Sequence, residues 1–570
     1  VTRRPGQLSK TVLATLLSVI AGSGCGSGDD KTASAGGGRL VATSRTEPES
    51  FNRFVHPTAT VELISRLTHA SLVRLNRVTR TIEPRLARSW TTSPDGLTWT
   101  LNLVENATFS DGTPFTAADV VFSFRAAYDA DAGSPLGSSL QVDGQPLTVR
   151  ALDAGTVAIV FPAPYGPGIA MLDSLPILPA HKLQAALDAK TFKTAWGVTT
   201  QPADLAGLGP FVIKEYAPGQ RLVFARNPRY WRQDERGQRL PYLDEIEVQF
   251  VADQNSEVVR LQAGQVDLMT DTVRAEDIAS FRRLGRDAKI TLTTAGVSVS
   301  PDALWFNLTP AAPAVKDRPW LQREELRRAI SHAVDRRAFV DTVFLGAAEP
   351  IFGPITPGHG DWYIADLPKT DYDTARAASL LQAIGLQDRN GDGRLDDDRG
   401  RPARFTILTQ KGHAVRERSV AFIQEALRKV GLTVDVVTME TNALMPRWGA
   451  RDYDAIYRAL NFDSFDPGRS PEFWSSSGGF HLWNPGQTTP ATPWEARIDD
   501  LIRQQSRTRD EALRRRLFAD AQRVLAEHLP ILYFAAPHVT VATSARLRGS
   551  TPSVLPPPVL WNAEALSIAR

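Results

Sequence analysis

The residues best placed to do chemistry lie in one stretch, Asn461 to Asn484 (NFDSFDPGRSPEFWSSSGGFHLWN). There Asp463 and Asp466 stand beside Phe462, Phe465, Phe473, Trp474, Phe480 and Trp483. The Gly, Pro and Ser content excludes a regular helix and predicts a loop. Apolar surface carrying a few placed polar groups is the composition of a small-molecule pocket. A long surface loop pinned to the core by its aromatics accounts for the same residues.

A second constellation is Asp388, Asn390, Asp392, Gly393 and Asp396 (DRNGDGRLD), at positions 1, 3, 5, 6 and 9 of a calcium loop of the EF-hand type. The twelfth position is Arg399 where such a loop has a bidentate Glu, with Asp397 and Asp398 as possible substitutes. A plain acidic turn before the strand predicted at Phe405 is the alternative and the preferred reading. A third is Cys25, the single cysteine of the chain. Arg3, Arg4 and Lys10 precede the apolar run Thr11 to Ile20, and the small residues Ala21 to Gly24 follow it. That run is too short to span a bilayer and has the form of an export signal over residues 1–25. Cys25 after it resembles a bacterial lipoprotein attachment site, although Gly22 stands where such sites usually carry Leu. Residues 26–38 (GSGDDKTASAGGG) form a flexible linker with a reach of roughly 20 Å, a tether between a membrane anchor and a free body.

No H-E-x-x-H, G-x-S-x-G, S-x-x-K or Walker A pattern occurs, and the nine histidines do not cluster at metal spacing. The chain therefore offers no enzyme signature. Its 570 residues exceed what one hydrophobic core supports, so two or three domains or lobes are expected. A net charge of +2 sets up no field for nucleic acid. The basic run Arg514-Arg515-Arg516 sits at helical spacing and predicts a solvated helix face.

The elements that must position these residues follow from periodicity and turn chemistry. Ser93-Pro94-Asp95-Gly96 is a turn, and Leu97, Trp99, Leu101 and Leu103 after it alternate as a half-buried strand. Thr116 and Asp119 have capping-box spacing before a helix. Strands at Phe211–Tyr216 and Arg221–Ala225 flank Pro218-Gly219. Glu324 to Leu345 reads as one long amphipathic helix. Phe405–Thr409, Val415–Val430 and Leu432–Val437 read as a strand–helix–strand unit, and the strand Tyr453–Ala459 leads into the aromatic stretch.

Five collinear blocks carry a resemblance over nearly the whole mature chain. They are IEPRLARSWTTSPDGLTWTLNLVENATFSDGTPFTAADVVFSF, GLGPFVIKEYAPGQRLVFARNPRYW, YLDEIEVQFVADQNSEVVRLQAGQVDL, ELRRAISHAVDR and WEARIDDLIRQQSRTRDEALRRRLFADAQRVLAEHLP. The chain resembles the extracytoplasmic solute-binding proteins of the peptide/nickel class that serve ABC importers. The resemblance implies a two-lobe α/β periplasmic-binding-protein fold, with an extra β-rich subdomain and a ligand cleft at a hinge. Residues 39–85, 206–300 and 530–570 would form the first lobe, 86–205 the subdomain and 301–529 the second lobe, with crossings near 301–307 and 535–543.

It also implies a site. The family's W-x-x-D-x-x-D-P pattern falls on Leu460 to Pro467. That puts Asp463 at the position that pairs with a ligand's amino group and Asp466 on the Asp of Asp-Pro, with Leu460 in place of the Trp. A carboxylate shut into a cleft needs a cationic partner. Trp448, Trp474 and Trp483 are candidate pocket walls, core aromatics being the alternative. Arg447 and Arg469 are candidates for a ligand carboxylate, against structural or solvated roles. The implied function is capture of a peptide-like solute by hinge closure and delivery to an ABC permease with its cytoplasmic ATPase. The implied protein is a monomer held at the membrane through Cys25, in the periplasm or at the cell surface. It needs no cofactor beyond the calcium alternative at 388–396 and binds no nucleic acid. A lipid-anchored sensory or chaperone-like protein on the same scaffold is the second reading, and a secreted hydrolase the third.

Overall fold

Two β-sheets, each built around parallel strands, organise the chain. The computed structural model describes residues 37–286, 289–310, 312–459 and 464–569, all within one compact unit, Gly36–Arg570. Residues 1–25 with Cys25, most of the linker, and Leu460 to Asp463 lie outside the described residues.

In the first sheet Arg39–Ser44 lies between Glu245–Phe250 and Leu268–Met269, parallel to both. Leu40 and Ala42 at its centre are fully buried, as a strand covered on both faces requires. The hairpin Phe211–Ala217 and Arg221–Arg226 adds antiparallel strands on one side, turning at Gly219, whose φ of 72° a side chain would resist. Ala535–Ser544 and Ile290–Val297 complete the other side.

The second sheet runs Thr433–Met439, Arg404–Gln410, Ala455–Ala459, Asp302–Phe306, Ile531–Tyr533. Arg404–Gln410 is parallel to both its neighbours, and the helix Ala414–Arg428 forms its crossover. The chain leaves the first sheet at Val297, enters the second at Asp302, and returns through the buried Phe534 between Tyr533 and Ala535. A separate antiparallel sheet, Ala87–Thr92, Thr98–Leu103, Thr156–Val160 and Thr148–Asp153, turns at Ser93–Gly96. Asp119 caps the helix Ala117–Tyr128, accepting the Thr116 N–H at 2.9 Å, as the spacing predicts.

Two departures from the sequence reading have clear causes. The long helix expected over Glu324 to Leu345 is two, Glu324–Ala333 and Arg336–Phe344. Val334 is extended, and Asp335 starts a new helix by accepting the Arg337 and Ala338 N–H groups, a capping role that periodicity does not register. The strand Ala348–Pro350, from the span assigned to the second lobe, pairs with the first three residues of Ala535–Ser544 in the first sheet. That strand is ten residues long and outruns its partner Ile290–Val297. Among the described residues no helix is long and apolar enough to cross a membrane.

Candidate functional site

The parallel strands of the second sheet end on a common edge, and in open α/β sheets ligands bind outside the carboxyl ends of such strands. Arg418, near the start of the crossover helix, reaches Glu276 of the helix Ala275–Arg286 at 3.6 Å. The aromatic stretch leaves from the same edge, immediately after Ala455–Ala459.

Asp463, on which the amine-binding expectation rests, lies outside the described residues. Asp466 is described, and its carboxylate is already committed. One oxygen caps the short helix Pro467–Arg469 by accepting the Gly468 N–H at 2.9 Å, and the other accepts Arg514 at 2.7 Å. Its place is to hold the turn, a correction to its candidacy as a ligand contact. Trp474 and Trp483 are each 1% exposed and form core, not cleft wall. Trp474 meets Phe518 edge-on at 4.8 Å and Phe473 at 5.0 Å, while Trp483 packs on Trp494 at 5.9 Å. Trp448 is half-buried and donates its indole N–H to the Leu482 carbonyl at 3.0 Å. Arg447 pairs with Asp452 at the surface, and Arg469 donates to the Ser464 hydroxyl.

Two further residues, Glu495 and Arg514, organise the loop. Glu495 is buried at 3% exposure. One of its oxygens accepts Trp483 Nε1 at 2.9 Å and faces His481 Nε2 at 3.2 Å. The other accepts the Ala491 and Thr492 N–H groups and the Thr492 hydroxyl. Burial pushes its pKa up, but the hydrogen bonds from His481, Trp483 and Thr492 outweigh that and hold it at about 2. Its signal was present in the sequence: Thr492-Pro493-Trp494-Glu495 is a capping box, which the helix Pro493–Arg507 uses.

Arg514 is the second, and it corrects the solvated-face reading of Arg514-Arg515-Arg516. It is 4% exposed because residues 514, 518, 521 and 525 form the buried stripe of the helix Glu511–His528. Besides Asp466 it donates to the Gln505 carbonyl and lies over the Trp362 ring at 5.0 Å. Gly166, from the segment beside the antiparallel sheet, packs against it. A Cβ there would fall 2.3 Å from the Thr508 carbonyl and 2.5 Å from Arg514 Nε, so only glycine permits the contact. The Gly166 N–H donates to the Ser506 carbonyl at 2.5 Å, and Arg507 pairs with Asp143 at 2.6 Å. Arg80, on the turn between Val73–Leu75 and Ile82–Pro84, lies over the Phe465 ring at 4.7 Å. The aromatic loop is thus contacted by Arg80 as well as by the helix behind it.

In the acidic loop, Asp388 accepts the Gly391 and Gly393 N–H groups and Asp392 accepts that of Arg394, while Asn390 accepts that of Asp392. Asp396 is buried between bridges to Gln387 and Pro402. Among the described residues no three His, Cys, Asp or Glu side chains converge to hold a metal ion. A small cavity lined by Phe51, Ile64, His69, Trp196 and Phe211 shares no residue with the aromatic loop. Burial drives its His69 to a pKa of about 4, so that imidazole is neutral at physiological pH.

Comparison with known proteins adds to this geometry. Residues 81–481 match the family described as "Bacterial extracellular solute-binding proteins, family 5 Middle". A Deinococcus radiodurans protein described as "Probable ABC transporter-binding protein" is 27% identical over 533 residues, covering 90% of this chain and 89% of its own length. The oligopeptide-binding protein AppA of Bacillus subtilis is 26% identical over 559 residues, 94% of each chain. The structure of AppA, solved with a nonapeptide, superposes with a TM-score of 0.73 over 94% of this chain and 99% of that one. NikA from Brucella suis, solved with Fe(III)-EDTA, shares the fold at a TM-score of 0.77 and 21% identity. With two α/β sheets joined by two chain crossings, and a family match across most of its length, this chain belongs to the bacterial extracellular solute-binding proteins of family 5 and has their two-lobe α/β periplasmic-binding-protein fold.

Proposed function

We propose that this protein captures a peptide-like solute between its lobes outside the cytoplasmic membrane and delivers it to an ABC permease, without altering it chemically. The observation that carries the reading is the likeness to AppA over 94% of both sequences, together with the nonapeptide bound in that relative's structure. Hinge closure supplies the mechanism. A solute that touches both lobes makes its full set of contacts only when they are together, so binding shifts the population towards the closed form that the permease reads. Asp463 supplies the carboxylate for a solute amino group, and Cys25 carries the lipid that keeps the receptor at the membrane as a monomer.

Mass spectrometry of solute released from the purified protein by denaturation tests the class of ligand. Peptides are expected, and a glycan or metal chelate in their place would replace the reading. Asp463→Ala is expected to abolish calorimetric binding of trialanine while leaving the melting temperature nearly unchanged. Undiminished affinity removes the amine role. Cys25→Ala is expected to move the protein from the membrane fraction to the soluble one, and continued membrane retention removes the anchor.

A further inference from the structure

Away from the aromatic loop, a small polar cavity holds a guanidinium with nothing to donate to. Arg85 lies between the strand Ile82–Pro84 and the strand Ala87–Thr92 of the antiparallel sheet, and it is 8% exposed. It lines the cavity together with residues of the helix Ala59–Thr68 and of the 3-10 helix Gly168–Ser174. Its Nε is buried without a hydrogen-bond partner, and its side chain forms no hydrogen bond or ion pair among the described residues.

The other buried arginines show what the fold does when a guanidinium is structural. Arg77 donates to the Leu555 and Pro556 carbonyls, and Arg327 to those of Leu529, Gln322 and His528. Arg336 donates to the carbonyls of Ile351, Tyr533 and Ser331, and Arg514 to Asp466 and Gln505. Arg85 has no counterpart to these acceptors.

The acids around Arg85 are taken. Glu62 pairs with Arg53 and, at 2.7 Å, with Arg66. Asp173 accepts the Leu75 N–H at 2.9 Å and faces Arg66 at 3.6 Å. Glu564, whose charge reaches Arg85, accepts Arg74 at 2.7 Å and also Arg232 and Tyr230. The guanidiniums of Arg53, Arg66 and Arg85 therefore stand against the carboxylates of Glu62 and Asp173 alone, one positive charge in excess, and the neutral His69 on the cavity wall adds none. Burial pushes the Arg85 pKa down, as do Arg74 and Arg232, against Tyr230 and Glu564. The Ser71 and Ser174 hydroxyls donate to the Val73 and Met171 carbonyls at 2.6 and 2.8 Å, which leaves Arg85 and Ser65 as the cavity side chains with protons to offer. The space admits about one water-sized occupant. A halide ion has that size and accepts hydrogen bonds from any direction. Unlike a water, it also offsets the cost of a buried uncompensated cation.

We infer that this cavity is a structural anion site, in which chloride held by Arg85 and the Ser65 hydroxyl ties the helix Ala59–Thr68 to the start of the antiparallel sheet and to the 3-10 helix Gly168–Ser174. The ion acts on stability, and the inference is independent of which solute the protein carries.

Thermal unfolding of the full protein tests it, with sodium chloride replacing sodium gluconate at constant ionic strength, since gluconate is too large to enter. The unaltered protein is expected to show a saturable rise in melting temperature of about 2 °C. Arg85→Gln is expected to show none. No rise in the unaltered protein, or an equal rise in the variant, overturns the inference. Crystals of the unaltered protein soaked in sodium bromide decide the matter if the variant does not fold. An anomalous peak within hydrogen-bonding reach of the Arg85 guanidinium is expected, and a water in its place overturns the site. A bromide peak without the chloride-dependent rise marks an adventitious ion only and overturns the structural role.

Discussion

The two sides of the aromatic loop treat charge in opposite ways. Behind the loop, Glu495 takes polar contacts from His481, Trp483, Ala491 and Thr492. Arg514 is shared there between Asp466, Gln505 and the face of Trp362. In front of it, on the strand that feeds the loop, the half-buried Arg458 donates to a thioether. A buried charge is tolerated when its acceptors and donors are built in, and the polar network then rigidifies what it touches. A charge left short of partners is tolerated when something else supplies them. The contrast separates the residues that hold the loop from one with few built-in partners.

Breaking the saturated side is expected to give the largest effect. Glu495→Ala removes the acceptor of several buried donors and the cap of the helix Pro493–Arg507, and should cost about 3 kcal/mol in denaturant unfolding. The same carboxylate has a pH signature. Its folded pKa of about 2 lies below its ordinary 4.5, so its contribution is complete above about pH 4.5 and is lost as pH falls towards 2. Stability measured across that window should fall less steeply in the Glu495→Ala protein than in the unaltered one. An unchanged slope would show that the network does not hold Glu495 ionised.

Arg514→Met comes next. It leaves Asp466, with 19% of its side chain exposed, facing no cation, and should cost about 2 kcal/mol. It should also weaken solute binding by loosening the turn that Asp466 caps. A stability loss with affinity untouched would confine Arg514 to the core.

The comparison sharpens at Arg458, where the sign is expected to differ. Arg458→Met replaces an under-partnered cation with an apolar chain beside Met445, and should leave stability within about 1 kcal/mol or raise it. A loss as large as that of Arg514→Met would mean that Arg458 has structural partners and is no different from the arginines behind the loop. The smallest effect belongs to the surface pair Arg447–Asp452, whose side chains are 45% and 60% exposed. Arg447→Ala should cost about 0.5 kcal/mol or less, and less still in high salt.

Local rules carried much of the architecture. The turns at Ser93–Gly96 and Pro218-Gly219, the Thr116/Asp119 cap and the strand–helix–strand unit over 404–439 are set by residues adjacent in sequence, so they could be read there. Glu495 is of the same kind, since its capping box with Thr492 is local in sequence. Arg514 was not, because three consecutive arginines look alike until the helix phase against Phe518 is known. Trp474 and Trp483 were not either, since an aromatic in a loop has the same composition whether it lines a cleft or fills a core.

The sequence by itself determined the family and the two-lobe α/β fold, because collinear blocks and turn chemistry are local records of a shared fold. Only the tertiary structure decided which charges are already satisfied. Partnership depends on residues brought together across long separations, as Asp466 with Arg514 and Asp302 with Arg416 are, and no spacing rule within the chain encodes that distance.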